Sequence, residues 1–193
     1  TNNVAEWGGG MTCTEWSDAT ILNSSFNHNT TRNVGGGIFI RSTSSPVLIN
    51  CTFDDNIQIS NPLGSGGGAC IYGGGDTGGP CYPAFTDCTF IGNTVIGDGG
   101  GMSAAYSSHP KLTNCSFAQN FAGRSGGGLA CVADAGHVYP SNADVQYCTF
   151  ESNIATEEGG GIHVRNSDPT FLNVQVHGNV AGTTGGGMNF FES

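Results

Sequence analysis

A triplet of consecutive glycines followed by an apolar residue recurs seven times in this chain and constrains its fold more than any other feature. The triplets begin at Gly8, Gly35, Gly66, Gly99, Gly126, Gly159 and Gly185. Successive triplets start 26 to 33 residues apart, which is typical of one supersecondary unit that is copied along a chain. Because a unit of this size cannot bury its own apolar side without its neighbours, the period predicts a solenoid.

A second motif, Phe-x-x-Asn, recurs in phase with the glycines, and two further columns precede its Phe. A cysteine lies two residues before the Phe at Cys51, Cys88, Cys115 and Cys148. An apolar residue lies five before the Phe position at Ile21, Leu48, Phe85, Leu112, Val145 and Phe171. Since these two columns have opposite parity, a straight strand cannot bury both. We therefore expect the chain to bend between them, at Asn23, Asn50, Asp87, Asn114, Tyr147 and Asn173.

Apolar residues alternate with period two after each triplet, which favours strands over helices. The sequence therefore predicts an all-β fold, a parallel β-helix of about six to seven coils with about 27 residues and three short strands in each coil. We expect the glycines to form a corner where positive φ and a close approach of stacked backbones are needed. Residues 1–193 should form a single domain, either a segment of a longer solenoid or a subunit that assembles end to end.

The pairing of the glycine motif with Phe-x-x-Asn, from Gly8 to Met188, resembles the repeat of the chlamydial polymorphic membrane proteins. Those proteins are surface-displayed right-handed β-helices, and similar repeats occur in other secreted bacterial and algal proteins. The resemblance implies a right-handed parallel β-helix and an extracellular or cell-surface location. The third glycine of the motif is Gly in every copy of this chain, where the family usually has Ala.

Composition narrows the choice of partners. Fifteen Asp and Glu against five Lys and Arg give a net charge of −10, which opposes binding to nucleic acid or anionic lipid. There is no apolar stretch long enough for a membrane-spanning helix, so we expect no membrane insertion. The expected partners are copies of the chain or further β-helix segments stacked end to end, together with glycans.

The cysteines fall into two groups according to whether their strand position predicts a side chain that faces inward or outward. The four that precede Phe share an inward column, where we expect inert packing of small side chains. Cys70 has outward parity, and Cys81 lies eleven residues later at the end of an inserted loop. We predict a disulfide between Cys70 and Cys81, which would hold the loop and indicate an oxidising compartment.

Residues that could carry catalysis are dispersed. The best acidic pair is Asp54 and Asp55, and Glu151 lies three coils away at roughly 14 Å, beyond the separation that glycosidases use. The few basic residues do not converge, and no two histidines have the spacing of metal ligands. We therefore expect no enzyme activity, no catalytic residues, no cofactor and no metal.

Two inserted loops, residues 72–83 and 133–142, leave the same face two coils apart. They carry Tyr72, Tyr82, His137 and Tyr139, a candidate face for binding a glycan or a protein. Asn-x-Ser/Thr sequons begin at Asn23, Asn29, Asn50 and Asn114 and are candidates for N-glycosylation.

These features together predict an extracellular structural β-solenoid, a building block of a filament, surface layer or adhesin stalk that assembles through unpaired strand edges at its ends. The first alternative is an adhesin or carbohydrate-binding module that uses the two inserted loops. The second alternative is a polysaccharide lyase or hydrolase.

Overall fold

A computed structural model of the chain describes residues 1–74, 78–133 and 139–192. Within these ranges the chain forms 26 short β-strands and no helix. The strands belong to four parallel sheets, and each coil contributes one strand to each sheet in the order A, B, C, D. The fold is a parallel β-helix of seven coils, as the glycine period predicted.

Sheets A and B contain seven strands each. The strands of sheet A are Val4–Trp7, Thr30–Val34, Ile57–Gln58, Thr94–Val95, Phe121–Ala122, Ile154–Ala155 and Val180–Ala181. The strands of sheet B are Met11–Cys13, Ile38–Arg41, Ala69–Tyr72, Met102–Ala105, Leu129–Val132, Ile162–Arg165 and Met188–Phe191.

Sheets C and D contain six strands each. The strands of sheet C are Thr20–Leu22, Val47–Ile49, Ala84–Thr86, Lys111–Thr113, Asp144–Gln146 and Thr170–Leu172. The strands of sheet D are Ser25–Asn27, Thr52–Asp54, Thr89–Ile91, Ser116–Ala118, Thr149–Glu151 and Gln175–His177.

Each coil therefore has four strands, and the prediction of three was wrong. Sheet A was overlooked because most of its strands have only two residues. The inward position of these strands also varies in character, with Gln58, Val95 and Ala122 in successive coils. A two-residue strand with a mixed inward position gives no period-two signal.

The predicted bend between sheets C and D is confirmed. All six bend residues, from Asn23 to Asn173, adopt a left-handed backbone with φ between 49° and 56°. The bend turns the chain so that the column in sheet C and the Phe column in sheet D both face the interior. Phe85 and Phe90, which lie on opposite sides of this bend, are both fully buried and pack edge to face at 5.8 Å.

The glycine triplets form the corner between sheets A and B. The first glycine of every triplet has a positive φ, between 58° and 76°. A Cβ on Gly126 would also lie 2.5 Å from the carbonyl oxygen of Leu129, so the position needs glycine for both reasons. A Cβ on the second glycine of a triplet, such as Gly67, would lie 2.5 Å from the carbonyl oxygen of Gly100 in the next coil. The triplets are thus where stacked coils approach most closely.

The interior is organised in columns that run along the solenoid. Phe53, Phe90, Phe117 and Phe150 are fully buried and stack face to face with centroid distances of 4.6 to 4.7 Å. The predicted cysteine column lies beside them in the same apolar core.

A ladder of asparagines separates this core from sheet A. It consists of the Asn of each Phe-x-x-Asn motif, namely Asn29, Asn56, Asn93, Asn120, Asn153 and Asn179. Each side-chain amide donates to the side-chain oxygen of the Asn in the next coil at 2.9 to 3.0 Å. The same oxygen accepts a backbone N–H from the preceding coil, for example Asn93 N to Asn120 Oδ1 at 3.0 Å. The ladder satisfies buried backbone groups at a corner where no sheet does so.

Candidate functional site

A groove of about 770 Å³ runs along the outer side of sheet B. Its floor contains the last residue of each strand in six consecutive coils, which the sheet register places side by side. These residues are Arg41, Tyr72, Ala105, Val132, Arg165 and Phe191. One column of aligned side chains therefore spans six coils and gives the groove its length.

The two walls of the groove come from the segments that flank sheet B. Residues that follow sheet A, including Leu63, Ser65 and Asp98, line one wall. The turns after sheet B line the other, and Tyr106 in one of them packs against Tyr72 with ring centroids 4.4 Å apart. Burial and the hydrogen bond between the two hydroxyls raise the pKa of Tyr72, so it stays a neutral phenol. The middle of the groove is thus lined by a packed aromatic pair beside the small Ala105.

Aromatic side chains also line the first coil of the groove. Trp7 stacks on Phe39 with a centroid distance of 5.7 Å, and both residues line the groove. Phe39 is almost completely buried, whereas about half of Trp7 is exposed. A rigid aromatic surface is therefore present at this end as well.

Three of the five basic residues of the chain line the groove: Arg41, Arg124 and Arg165. Arg124 is neutralised, since its guanidinium lies 3.3 Å from Asp98 Oδ2 and 3.9 Å from Glu157 Oε2. Arg41 and Arg165 form no ion pair in the part of the chain that the structure describes. In a protein with a net charge of −10, this groove therefore holds two cationic groups, Arg41 and Arg165, with no carboxylate partner among the described residues.

A buried histidine lies beneath one wall of the groove. His163 Nδ1 lies 3.6 Å from Glu158 Oε2 and 3.3 Å from Asn189 Nδ2. Burial, helped by the nearby Arg165 and Arg124 and opposed by Glu158, lowers the pKa of His163 to about 4. The imidazole is therefore neutral at physiological pH and adds no charge to this end of the groove.

The structure separates the residues that were predicted to form one binding face. Tyr72 lies in the groove, whereas exposed Tyr82 stacks on His109 at 5.1 Å and does not line the groove. The carbonyl oxygen of Tyr139 accepts the backbone N–H of Ser107 at 3.2 Å, which ties the second loop to the turn of Tyr106. His137 lies outside the described residues. The two loops 72–83 and 133–142 do flank one turn, and of their described residues only Tyr72, Gly73, Gly74 and Ala133 line the groove.

Sequence reasoning missed most of the groove, although a signal for it was present. Arg41 and Arg165 occupy equivalent positions in their coils, but they were judged to lie too many coils apart to converge. Aligning the fourth residue after each glycine triplet would have shown that Arg41, Tyr72, Arg165 and Phe191 share one column. Trp7, Phe39 and Tyr106 carried no signal, because their approach depends on the angle between sheets A and B.

The predicted disulfide between Cys70 and Cys81 is wrong. All eight cysteines are free thiols, and all are buried. Cys70 packs on the outer side of sheet B against Val34 and Phe39, whereas Cys81 packs in the main core inside the coils. The two thiols are thus on opposite sides of the chain, and the argument for an oxidising compartment loses this support. Burial raises the pKa of both thiols, so neither is a reactive thiolate.

The four sequons differ in accessibility. Asn23, Asn50 and Asn114 are exposed at the bend between sheets C and D. Asn29 is buried, and its amide nitrogen donates to Asn56 Oδ1 at 2.9 Å within the asparagine ladder. Asn29 is therefore removed from the candidate glycosylation sites, because the folded chain leaves no room for a glycan there.

The acidic pair of the sequence analysis lies far from the groove. Asp54 and Asp55 are at the end of a sheet D strand, where Asp55 lies 3.7 Å from the exposed His28. Within the described ranges no cluster of three or more His, Cys, Asp or Glu side chains could hold a metal ion. The same part of the chain contains no helix that could cross a membrane.

The comparisons with known proteins agree with this architecture. The whole chain, residues 1–193, matches the family described as the right handed beta helix region. No curated protein and no solved structure matches it. On the evidence of the full-length family match and the parallel coils, the chain belongs to the right-handed β-helix family.

Proposed function

We propose that this β-solenoid binds an extended glycan chain in the groove along sheet B. The observation that carries the proposal is the continuity of the floor, where six consecutive coils each contribute one aligned side chain. Five steps between strands give a length of about 24 Å. A groove of that length suits a linear polymer better than a compact small molecule.

The side chains of the groove match the chemistry of a sugar chain. The Tyr72–Tyr106 pair and the Trp7–Phe39 pair offer aromatic faces for the apolar faces of sugar rings. Beside the Tyr72–Tyr106 pair, Ala105 keeps the floor open, since a larger residue would reach into the groove from the same position. Hydroxyl, amide and guanidinium groups around these rings supply hydrogen-bond partners for sugar hydroxyls.

Charge favours a glycan that carries carboxylate or sulfate groups. Arg41 and Arg165 are four strands apart in the same column, about 19 Å, and neither has a carboxylate partner among the described residues. A guanidinium binds planar oxyanions through two parallel hydrogen bonds, which makes it suited to such groups. The two arginines would hold an acidic chain at two points along its length.

Titration calorimetry with acidic and neutral oligosaccharides tests this proposal. Arg165→Gln should weaken the binding of acidic oligosaccharides by about tenfold or more, the loss expected for one charge-assisted hydrogen bond. Ala105→Trp should abolish binding of both kinds by filling the floor. Lys111→Gln is the matched control, because it removes the same charge from the exposed face of sheet C and should bind like the wild type. Equal affinities for all four proteins, or no binding by the wild type, would refute the proposal.

We propose binding without catalysis. The carboxylate of Asp98, which lines the groove, is engaged by the N–H of Ser125 at 3.1 Å and by Arg124 at 3.3 Å. These two contacts engage both oxygens of the carboxylate, which ties Asp98 to the wall of the groove. An extracellular or surface location, supported by the resemblance to the chlamydial polymorphic membrane protein repeat, and assembly into a filament, surface layer or adhesin stalk stay predictions.

A further inference from the structure

The outer face of sheet A carries a stripe of uncharged residues along the whole solenoid. The first residue of each strand points outward, and the sheet register aligns these residues in one column. The column is Val4, Thr30, Ile57, Thr94, Phe121, Ile154 and Val180. We call it the sheet A stripe. The apolar members of the stripe are open to solvent, with exposed fractions of 37 to 70%: Val4, Ile57, Phe121, Ile154 and Val180.

The outer face of sheet A differs from that of sheet D in the charged residues it carries. The only charged residues in the strands of sheet A are Glu6 and Arg32, and these two form an ion pair with each other. The outer face of sheet D, by contrast, carries Asp54, Glu151 and His177 in aligned positions. Two copies of a chain with a net charge of −10 repel each other at most orientations. The sheet A stripe has no charged member, so two copies can meet there without bringing like charges into contact.

The order of large and small residues along the stripe is self-complementary. A two-fold axis that runs parallel to the strands, midway between the strands of Thr94 and Phe121, makes two solenoids antiparallel. It places Phe121 opposite Thr94 of the partner subunit and Ile57 opposite Ile154 of the partner subunit. Thr30 then lies opposite Val180 of the partner subunit. Two of the three pairings thus combine side chains of complementary size, and the third combines two branched side chains.

The neighbouring column fits the same axis. Ile96 is exposed two residues after Thr94, and the matching position in the next coil is Gly123. The axis places Ile96 opposite Gly123 of the partner subunit, so a large side chain again meets a small one. Around the rim, Asp55 would face Ser152 of the partner subunit, and no like charges are brought together.

We propose that the sheet A stripe is a side-by-side dimer interface, with a second copy of this chain as its occupant in antiparallel orientation. Two sheets pack face to face about 10 Å apart with their side chains interdigitated, which is the geometry the stripe offers. The six paired coils form a strip roughly 24 Å long and two residues wide, which buries less area than the roughly 1,200 Å² of a stable complex. The dimer is therefore weak and reversible, and it is distinct from end-to-end stacking of coils.

Sedimentation velocity over a range of protein concentrations measures this association. The wild type should show a concentration-dependent shift from monomer to dimer, and Phe121→Lys should raise the dissociation constant by about tenfold or more. Leu172→Lys is the matched control, because it adds the same charge to an exposed apolar residue on the outer face of sheet C and should dimerise like the wild type. A protein that stays monomeric up to millimolar concentration would overturn the proposal.

The pairing itself is tested by charge reversal. Ile57→Lys and Ile154→Glu should each abolish the dimer, whereas the double variant should restore it, because each introduced lysine then faces an introduced glutamate. Cross-linking adds an independent measurement, since all native cysteines are buried and an introduced one is the reactive thiol. A short bismaleimide should join Ile57→Cys to Ile154→Cys in a mixture and should not join Ile57→Cys to itself. Efficient self-linking of Ile57→Cys, or a double variant that stays monomeric, would refute the antiparallel pairing.

Discussion

The asparagine ladder should contribute more to stability than any surface hydrogen bond, and Asn120→Ala tests this. Asn120 lies in the middle of the ladder and is fully buried. Its Oδ1 accepts the backbone N–H and the side-chain amide of Asn93, both at 3.0 Å. Its Nδ2 donates to the carbonyl oxygen of Phe90 at 3.0 Å and to Asn153 Oδ1 at 2.9 Å. The substitution removes all four hydrogen bonds at once.

The expected loss of stability follows from the buried groups that lose a hydrogen-bond partner. Without the Asn120 side chain, the backbone N–H of Asn93 loses its Oδ1 acceptor, and three further groups, Asn93 Nδ2, Phe90 O and Asn153 Oδ1, each lose one bond. A buried polar group that loses its partner costs about 1 to 3 kcal/mol, so Asn120→Ala should lower the free energy of unfolding by about 3 to 5 kcal/mol. Asn179→Ala should cost less, because Asn179 is only partly buried and water can replace its bonds.

Equilibrium unfolding in urea, followed by circular dichroism, gives the free energies for this comparison. Asn33→Ala is the control, because Asn33 makes an exposed hydrogen bond to Glu6 and its loss should cost less than about 1 kcal/mol. If Asn120→Ala and Asn33→Ala lower the free energy of unfolding by the same amount, the ladder does not stabilise the coils and the reasoning is wrong.

Three further predictions concern the corner, the core and the buried histidine. Gly126→Ala should destabilise the chain by more than about 2 kcal/mol in the same unfolding assay, because the position combines a φ of 69° with a blocked Cβ site. Gly178→Asn should be nearly neutral, since Gly178 has a similar φ but an open surrounding; equal costs would contradict this account. Phe117→Ala should cost about 3 to 5 kcal/mol by leaving a cavity between Phe90 and Phe150, and a near-neutral result would refute the stacked column. The depressed pKa of His163 means that the unfolded chain binds a proton below pH about 6.5 that the folded chain takes up only near pH 4. Stability should therefore fall as the pH is lowered between these values, and His163→Gln should fall less steeply; identical pH profiles would show that His163 is not buried in its neutral form.

Sequence reasoning recovered the parts of the fold that repeat in every coil. The glycine corner, the bend at Asn50 and its equivalents, and the Phe and Cys columns were all predicted, because each is a local requirement that one residue type satisfies. The asparagines were recognised as a motif, but their ladder was not, since a hydrogen bond between coils leaves no mark on spacing within a coil.

The errors arose where one coil differs from the others. Cys81 follows an inserted loop, so its parity could not be counted from the glycine corner, and its pairing with Cys70 was predicted without knowing that it faces the main core. The groove depends on the angle at which sheet A meets sheet B, which places Trp7 over Phe39. That angle is a property of packing in three dimensions, and no periodicity in the sequence reports it.

The corner, the asparagine ladder and the Phe column keep their alignment whatever the length of the segment that follows sheet B. Cys70 and Ser103 are paired in register although the inserted loop 72–83 lies between them, and Ala130 and His163 are paired across the second loop. Each coil therefore consists of two parts. The corner, the ladder and the Phe column keep the same geometry in every coil, whereas the turn after sheet B can differ in length. A foreign peptide placed between Gly74 and Gly78 would be displayed on the flank of a rigid rod without disturbing the stacking that holds it. By the same logic, whole coils can be added to or removed from the middle of the chain to set the length of that rod.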